Sequence, residues 1–486
     1  MISFLCCLAL LVGGYFVYGA FIERVFGIEP DRVTPAYAQQ DGVDYVPMPT
    51  WKVFMIQFLN IAGLGPIFGA IMGAKFGLSS FVWIVLGSIF AGATHDFLSG
   101  MLSIRNNGES LPELIGRYLG RHCKQLMRGI TLLLMILVGA VFVAGPAGLL
   151  AKLTPDSLDI AFWAIVIFLY YIVATLLPID KIIGKIYPLF AFALLFMAVG
   201  ILVMMIYHYP ALPEFTDGLH NTHPAGLPIF PMMFVSIACG AISGFHATQS
   251  TLMARCLKKE KYGRPVFYGA MMAEGIVALI WAAAATYFFH TEEGKALFAA
   301  ASGNDNAAIV VDSITREWLG TVGGFLAVLG VVAAPITSGD TAFRSARLLV
   351  ADFLKLDQKP ILKRLLVSIP LFAAGFLILQ IDFAVIWRYF AWVNQTLAAF
   401  TLWAITVYLA TAKKRYIVTL IPALFMTTVC STYLFIAPEG LNLSANVSQA
   451  LGTCCMAITL IFFLLWRRRT VNNDGKGITT RPPRDR

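Results

Sequence analysis

Apolar residues run in long blocks along this chain, separated by short clusters of Gly, Pro and charged residues. Crossing about 30 Å of hydrocarbon as a helix takes about 20 apolar residues. Thirteen stretches qualify: residues 2–22, 52–74, 79–104, 129–151, 160–178, 187–207, 229–253, 265–290, 322–349, 361–379, 383–410, 416–436 and 447–466. The pattern predicts an all-α polytopic membrane protein. Met1-Ile2-Ser3 carries no positive charge and no small-residue cleavage site follows Gly19-Ala20, so the first stretch is expected to be a helix rather than a signal peptide.

Two of these stretches are interrupted. Asn60 to Gly69 (Asn-Ile-Ala-Gly-Leu-Gly-Pro-Ile-Phe-Gly) breaks the second, and Ser236 to His246 (Ser-Ile-Ala-Cys-Gly-Ala-Ile-Ser-Gly-Phe-His) breaks the seventh. A backbone N–H or C=O freed in hydrocarbon costs several kcal/mol unless protein or water satisfies it, so irregular backbone survives there only where it lines a cavity. Close packing is the competing explanation, because Gly and Pro are common in membrane helices and small residues let helices approach. The matched placement of the two breaks, five segments apart, points to a transporter's midplane site.

Charge orients the chain. With the N-terminus outside, 31 of the 36 Lys and Arg residues fall in alternate loops on the cytoplasmic side, and only Lys75, Lys152, Lys295, Arg316 and Arg388 do not. The net charge of +9 is thus a topology signal rather than a nucleic-acid surface. On this topology the broken second and seventh segments run in opposite directions. Segments two to six and seven to eleven then form a five-plus-five inverted repeat, with one helix before it and two after. The expected organisation is residues 1–51 as an N-terminal helix and cytoplasmic loop, 52–208 and 229–410 as the two repeats, 209–228 as an outside loop, 411–466 as two further helices, and 467–486 as a disordered basic tail. Composition agrees, since the chain is 58% hydrophobic and 13% charged with a mean hydropathy of +0.76. The eight cysteines form no CxxC pair and are expected as reduced thiols.

The breaks carry the first candidate chemistry. Gly63 and Gly65 let the chain turn, and Pro66 suits the first position of a new half-helix whose N-terminus, with about +0.5 charge, favours a carboxylate. Asn60 adds an amide beside Ala62. In the partner break Gly240 and Gly244 are permissive, Ser243 and His246 are polar, and Phe245 could cover a small ligand; the packing alternative for His246 is a hydrogen bond between helices. Segment nine places Thr337, Asp340, Thr341 and Arg344 on one face, with Ser338 beside them. Hydroxyls suit an ion such as Na⁺, and a membrane carboxylate can carry a proton; an Asp340 to Arg344 pair locking the helix end is the alternative. His95 and Asp96 in segment three, on a helix whose Ser88, Gly92, Asp96 and Gly100 recur every four residues, are either a proton relay or an interhelical bond. Glu274, deep in segment eight, is a further proton-carrier candidate. Asn394 and Gln395 could face the same cavity, and Arg388 near Asp382 reads as an interfacial anchor. His220 and His223 have metal-like spacing in a loop, a weak signal, and phosphate loops, HExxH and GxSxG motifs are absent from the sequence.

Several long motifs resemble one known family. Tyr18-Gly-Ala-Phe-Ile-Glu-Arg-Val-Phe-Gly27, Thr34-Pro-Ala-Tyr37, Asp41-Gly-Val-Asp-Tyr-Val-Pro47, Ile61-Ala-Gly-Leu-Gly-Pro-Ile-Phe-Gly69, Arg105-Asn-Asn-Gly-Glu-Ser-Leu-Pro-Glu113 and Cys239-Gly-Ala-Ile-Ser-Gly-Phe-His246 are similar to the carbon starvation protein A family. The resemblance runs from the first segment to about Ala410, and longer family members continue beyond the end of this chain. It implies a bacterial inner-membrane protein tied to the starvation response, taking up peptides or, for some members, pyruvate with protons. It also implies the five-plus-five repeat of the amino acid, polyamine and organocation transporters. The resulting expectation is a non-enzymatic secondary importer of a small carboxylate nutrient, pyruvate or a short peptide, driven by H⁺ or Na⁺ with no other cofactor. Its partners are that substrate and membrane lipid, with no nucleic acid. Alternatives are a redox protein holding haem between His95 and His246, or a nutrient sensor that keeps a transporter fold.

Overall fold

The computed structural model describes residues 1–176, 183–299, 305–356 and 360–474. It is all helical. In order the helices are α1 (Ile2–Phe26), α2 (Thr50–Ile61), α3 (Gly65–Ala74), α4 (Ser79–Arg105), α5 (Leu111–Leu119), α6 (Arg121–Leu153), α7 (Ile160–Leu176) and α8 (Ile183–His208). The second half comprises α9 (Phe234–Ile237), α10 (Gly244–Ala254), α11 (Glu260–Phe288), α12 (Glu292–Ala299), α13 (Asp305–Leu354), α14 (Ile361–Ile378), α15 (Phe383–Thr411), α16 (Ile417–Ile436) and α17 (Ala445–Asp474). Each of the expected stretches falls on a helix or a broken pair.

Among the described residues ten helices are long and apolar enough to cross a membrane, or eleven if the bent pair α2 and α3 counts as one span. This is a multi-pass membrane protein. The two stretches that fall outside that count are α7, at 17 residues, and α13, a 50-residue helix kinked at Gly320 where φ is 66°. Residues 467–474 of the expected tail instead continue α17 through Arg467–Arg469 to Asp474, and residues 475–486 lie outside the described part. Lys181, assigned to an inside loop by charge, also lies outside it.

Burial separates inner from outer helices. In α4 and α11, 83% of the most apolar window is buried inside the protein, against 17% in α17, so α17 faces lipid and α4 and α11 do not. The inner group is α2, α3, α4, α10 and α11. There α3 packs on α11 and α10 packs on α4. A second layer of α6, α8 and α13 packs together, and α15 touches both layers. Inner helices of this kind tolerate polar side chains because every neighbour is protein.

Outside the inner group, Glu214 pins the loop between α8 and α9 to the start of α1. Its carboxylate takes the Met1 ammonium, the N–H of Ile2 at 2.9 Å and the N–H of Ser3 at 2.7 Å. These donors are the unpaired first-turn groups of α1, and together they hold the Glu214 carboxyl down at about 2 from its usual 4.5. A depressed carboxyl stabilises the fold above its unfolded value and loses that contribution as pH falls. Glu214→Gln should therefore lower the thermal midpoint in detergent at pH 7, and the gap to wild type should close as pH falls from 4.5 toward 2. A gap unchanged by pH would contradict this.

Candidate functional site

The two predicted breaks exist, and they meet. The helix α2 ends at Ile61, Ala62 leaves helical geometry with ψ 47°, and α3 restarts at Gly65 with Pro66 in its first turn, at 53° to α2. In the partner segment α9 ends at Ile237, and Ala238 adopts φ 38° and ψ −107°, a conformation an L-residue rarely takes. The chain resumes as α10 at Gly244. A Cβ on Gly65 would fall on the Cβ of Cys239, one on Gly69 would lie 2.7 Å from the Ile237 carbonyl oxygen, and one on Gly240 would lie 3.7 Å from Pro66 Cα. The glycines therefore serve close contact between the breaks as well as chain turning.

Side chains from three other helices take up the freed backbone groups. The Leu59 carbonyl, unmatched because Gly63 N–H turns to Ile61, accepts a bond from Ser338 Oγ at 3.0 Å. The Gly240 carbonyl accepts from Ser88 Oγ at 3.2 Å, and the Ile242 carbonyl from Gln395 Nε2 at 3.0 Å. Asn394 Oδ1 accepts from the Phe245 N–H at 2.8 Å and from Ser243 Oγ at 3.0 Å, and its amide donates to Cys239 Sγ at 3.3 Å. Asn394 is thus a helix cap delivered from another helix. Asn60 is different. It is fully buried, and neither its amide oxygen nor its nitrogen has a hydrogen-bond partner among the described residues.

Four fully buried titratable side chains form a line beside the second break. His95 Nδ1 lies 2.8 Å from Asp96 Oδ1, the other Asp96 oxygen lies 3.2 Å from His246 Nδ1, and His246 Nε2 lies 3.4 Å from Glu274 Oε2. Helices α4, α10 and α11 each contribute. The sequence named all four residues and paired His95 with Asp96, but not these two with His246 and Glu274 in one line. The far end of the line touches the break through packing: Gly275, next to Glu274, comes so close to α4 that a Cβ would stand 2.6 Å from Ser88 Oγ, the hydroxyl that bonds Gly240.

The segment-nine stripe sits elsewhere. Thr337, Ser338, Asp340, Thr341 and Arg344 on α13 are all fully buried. The Thr337 and Thr341 hydroxyls donate back to the Ala334 carbonyl at 2.7 Å and the Ser338 carbonyl at 3.0 Å. Arg344 donates to the Ala174 carbonyl at 2.8 Å and lies 3.8 Å from Asp44. Of this group, Ser338 reaches a break through its bond to the Leu59 carbonyl. The Tyr171 hydroxyl, which sequence reasoning missed, fills the space over Gly339 and donates to the Phe142 carbonyl at 2.9 Å. Arg388 pairs with Glu439 at 3.3 Å, and the His223 ring packs on Phe76 with centroids 4.5 Å apart.

Known proteins share this sequence and fold. The family model described as "Carbon starvation protein CstA" matches residues 1–156 and 147–318. A Haemophilus influenzae "Uncharacterized membrane protein" is 44% identical over 60% of this chain and 92% of its own length. The "Peptide transporter CstA" of Bacillus subtilis is 28% identical over 95% of this chain and 94% of its own. The "Pyruvate/proton symporter BtsT" of Escherichia coli is 28% identical over 56% of this chain and 47% of its own. Among solved structures, the Eremococcus coleocola manganese transporter superposes with a TM-score of 0.59 at 14% identity, over 88% of this chain and 98% of that one; this shows a common fold alone.

The contact between the breaks can be tested by its sterics. Gly65→Ala should destabilise the protein by about 1–3 kcal/mol, the range for an overpacked core. In a Cys239→Gly background the same change should cost less, giving a coupling of at least about 1 kcal/mol in a double-mutant cycle of thermal midpoints. Strict additivity would mean that Gly65 and Cys239 do not touch.

Proposed function

Because the chain belongs to the carbon starvation protein CstA family, we propose that it is a secondary active transporter importing a small carboxylate nutrient, pyruvate or a short peptide, in the bacterial carbon-starvation response. It lies in the inner membrane with its N-terminus outside, and residues 52–208 and 229–410 act as inverted five-helix repeats. The observation that carries this reading is the contact of two broken helices at the core of the fold, with their freed backbone groups held by side chains. Transporters place substrate at such paired breaks and expose it alternately by moving one bundle against the other. The substrate site is built from Asn60, Ala62, Gly63, Gly65 and Pro66 on one side and Gly240, Ser243, Gly244, Phe245 and His246 on the other. The inner helices α2, α3, α4, α10 and α11 rock against the remaining helices, and the contact between the two breaks within them loosens as they do so, opening the site.

The unpartnered Asn60 amide supports this placement. A buried amide with no partner costs about 1–3 kcal/mol, and a state that opens the junction gives it a substrate carboxylate or carbonyl to bond. The line Glu274, His246, Asp96 and His95 supports proton coupling, since contiguous ionisable groups inside a membrane protein relay protons. Ser338 bonding a break carbonyl supports a second reading, Na⁺ held by Thr337, Ser338, Asp340 and Thr341 with freed backbone oxygens. The haem alternative is disfavoured, because both Nδ1 atoms of His95 and His246 sit on one carboxylate and His246 Nε2 faces Glu274.

Uptake of labelled pyruvate and labelled dipeptides into proteoliposomes, under a pH gradient, a Na⁺ gradient or neither, tests the reading. We expect one substrate class to accumulate under the pH gradient, and Glu274→Gln to abolish that accumulation while sparing substrate counterflow. No gradient-driven accumulation of either class would contradict it. Asn60→Leu should raise the KM for the transported substrate about tenfold, equivalent to one lost hydrogen bond to a charged group. The same variant should not lower the thermal midpoint, because no bond within the protein is lost; a lowered midpoint with unchanged KM would assign Asn60 to packing.

A further inference from the structure

A second, smaller set of unpartnered polar groups lies past the titratable line. A cavity of about 30 Å³ is bounded by the N-terminal end of α5, by α6, by the C-terminal half of α10 and by α13, with Ser110, Thr131, Thr248, Thr251, Arg255 and Ser345 in its wall. Thr131 is 3% exposed, and its hydroxyl has no hydrogen-bond partner among the described residues; the buried Ser110 Oγ has none either. Thr248 connects the cavity inward. Its hydroxyl donates to the Phe245 carbonyl at 2.6 Å and accepts from Gln249 Nε2 at 3.1 Å, and Gln249, one helical turn beyond His246, leaves its own amide oxygen without a partner among the described residues. Arg255, the charged residue in the wall, is tied to the Gly108 carbonyl at 3.0 Å on the side where the basic loops gather.

The space suits water. A site that holds one water needs roughly 10–15 Å³ by this measure and two to four polar partners, so about two molecules fit. Orphaned hydroxyls facing such a space are the groups that buried water satisfies. The cavity is too small for pyruvate or a peptide. We propose that it holds ordered water and forms the cytoplasmic leg of the ion path, carrying protons between the titratable line at His246 and the cytoplasm by way of water, Thr248, Thr131 and Ser110, with the Gln249 amide orienting the Thr248 hydroxyl. This rests on the proton-coupled transporter reading, and it adds Thr131 and Ser110 to that path, which neither the sequence nor the family comparison suggests. A hydroxyl can accept a proton on one lone pair and release its own, so Ser and Thr with water between them pass protons without net chemical change.

Two measurements on the full chain in lipid nanodiscs and proteoliposomes test it. Pulsed X-ray hydroxyl-radical footprinting reads bound water as fast oxidation of the side chains beside it. We expect oxidation of Leu252 and Leu349, which border the cavity, about tenfold faster than of Leu59, also buried but at the break, and slowing when Thr131→Leu fills the space. Equal, slow oxidation at all three positions would mean a dry cavity and overturn the proposal. In transport, Thr131→Val should slow pH-gradient-driven pyruvate uptake about tenfold, the equivalent of one hydrogen bond. It should leave pyruvate counterflow at equal pH within about twofold, and Thr131→Ser should restore uptake; Ser110→Ala serves if Thr131→Val fails to fold. A wet cavity with unchanged gradient-driven uptake in both variants overturns the path. Wild-type protein without pyruvate counterflow counts against the transport reading itself, and footprinting then still decides whether water is bound.

Discussion

Hydrocarbon does not hydrogen-bond, and the rest of this structure depends on that constraint. A helix can be unwound inside a membrane protein only if other groups replace the bonds it gives up. Here Ser338 serves the first break, while Ser88, Gln395 and Asn394 serve the second. The replacements come from three different helices, so the breaks are held by the inner assembly rather than by local sequence. The arrangement explains why both breaks are rich in glycine. Removing the helical ladder exposes backbone, and glycine lets the opposing backbone close over it, as where Gly69 lies against the Ile237 carbonyl.

The closed junction and the titratable line are mechanically linked. Ser88 holds the Gly240 carbonyl and packs against Gly275, and the next residue, Glu274, ends the line that runs through His246 and Asp96 to His95. His246 stands one turn from the start of α10, whose first N–H groups Asn394 caps. Movement of α10 relative to α15 would therefore disturb the cap, the break and the histidine contacts together. Under the proposed mechanism, this is how a change in proton occupancy and a change in access to the substrate site become one event.

Much of this was legible in the sequence, for identifiable reasons. The breaks announced themselves because Gly63, Gly65, Pro66, Gly240 and Gly244 interrupt apolar runs, and the helices because lipid leaves the chain few other options. Asn394 and Gln395 were noticed as polar residues in an apolar segment, although not as caps. What could not be read was convergence. Asp96, His246 and Glu274 lie on three helices, and only tertiary packing reveals that one carboxylate serves two histidines. Ser88 was one position in a small-residue repeat, and Ser338 one hydroxyl among several. Both proved to be backbone partners of the breaks, a role that depends on which carbonyl happens to be free. The start of the expected tail, residues 467–474, is helical because α17 keeps its hydrogen bonds past the last apolar residue, through a basic stretch that composition alone reads as disorder.

The central claim is that the two breaks part to admit substrate and close when it is absent. A cryo-electron microscopy structure in nanodiscs at saturating pyruvate and acidic pH tests it most directly. The account predicts small-molecule density between Asn60 and the start of α10, with Gly65 withdrawn from Cys239. Pyruvate bound elsewhere, while Gly65 and Cys239 stay in contact, would contradict it.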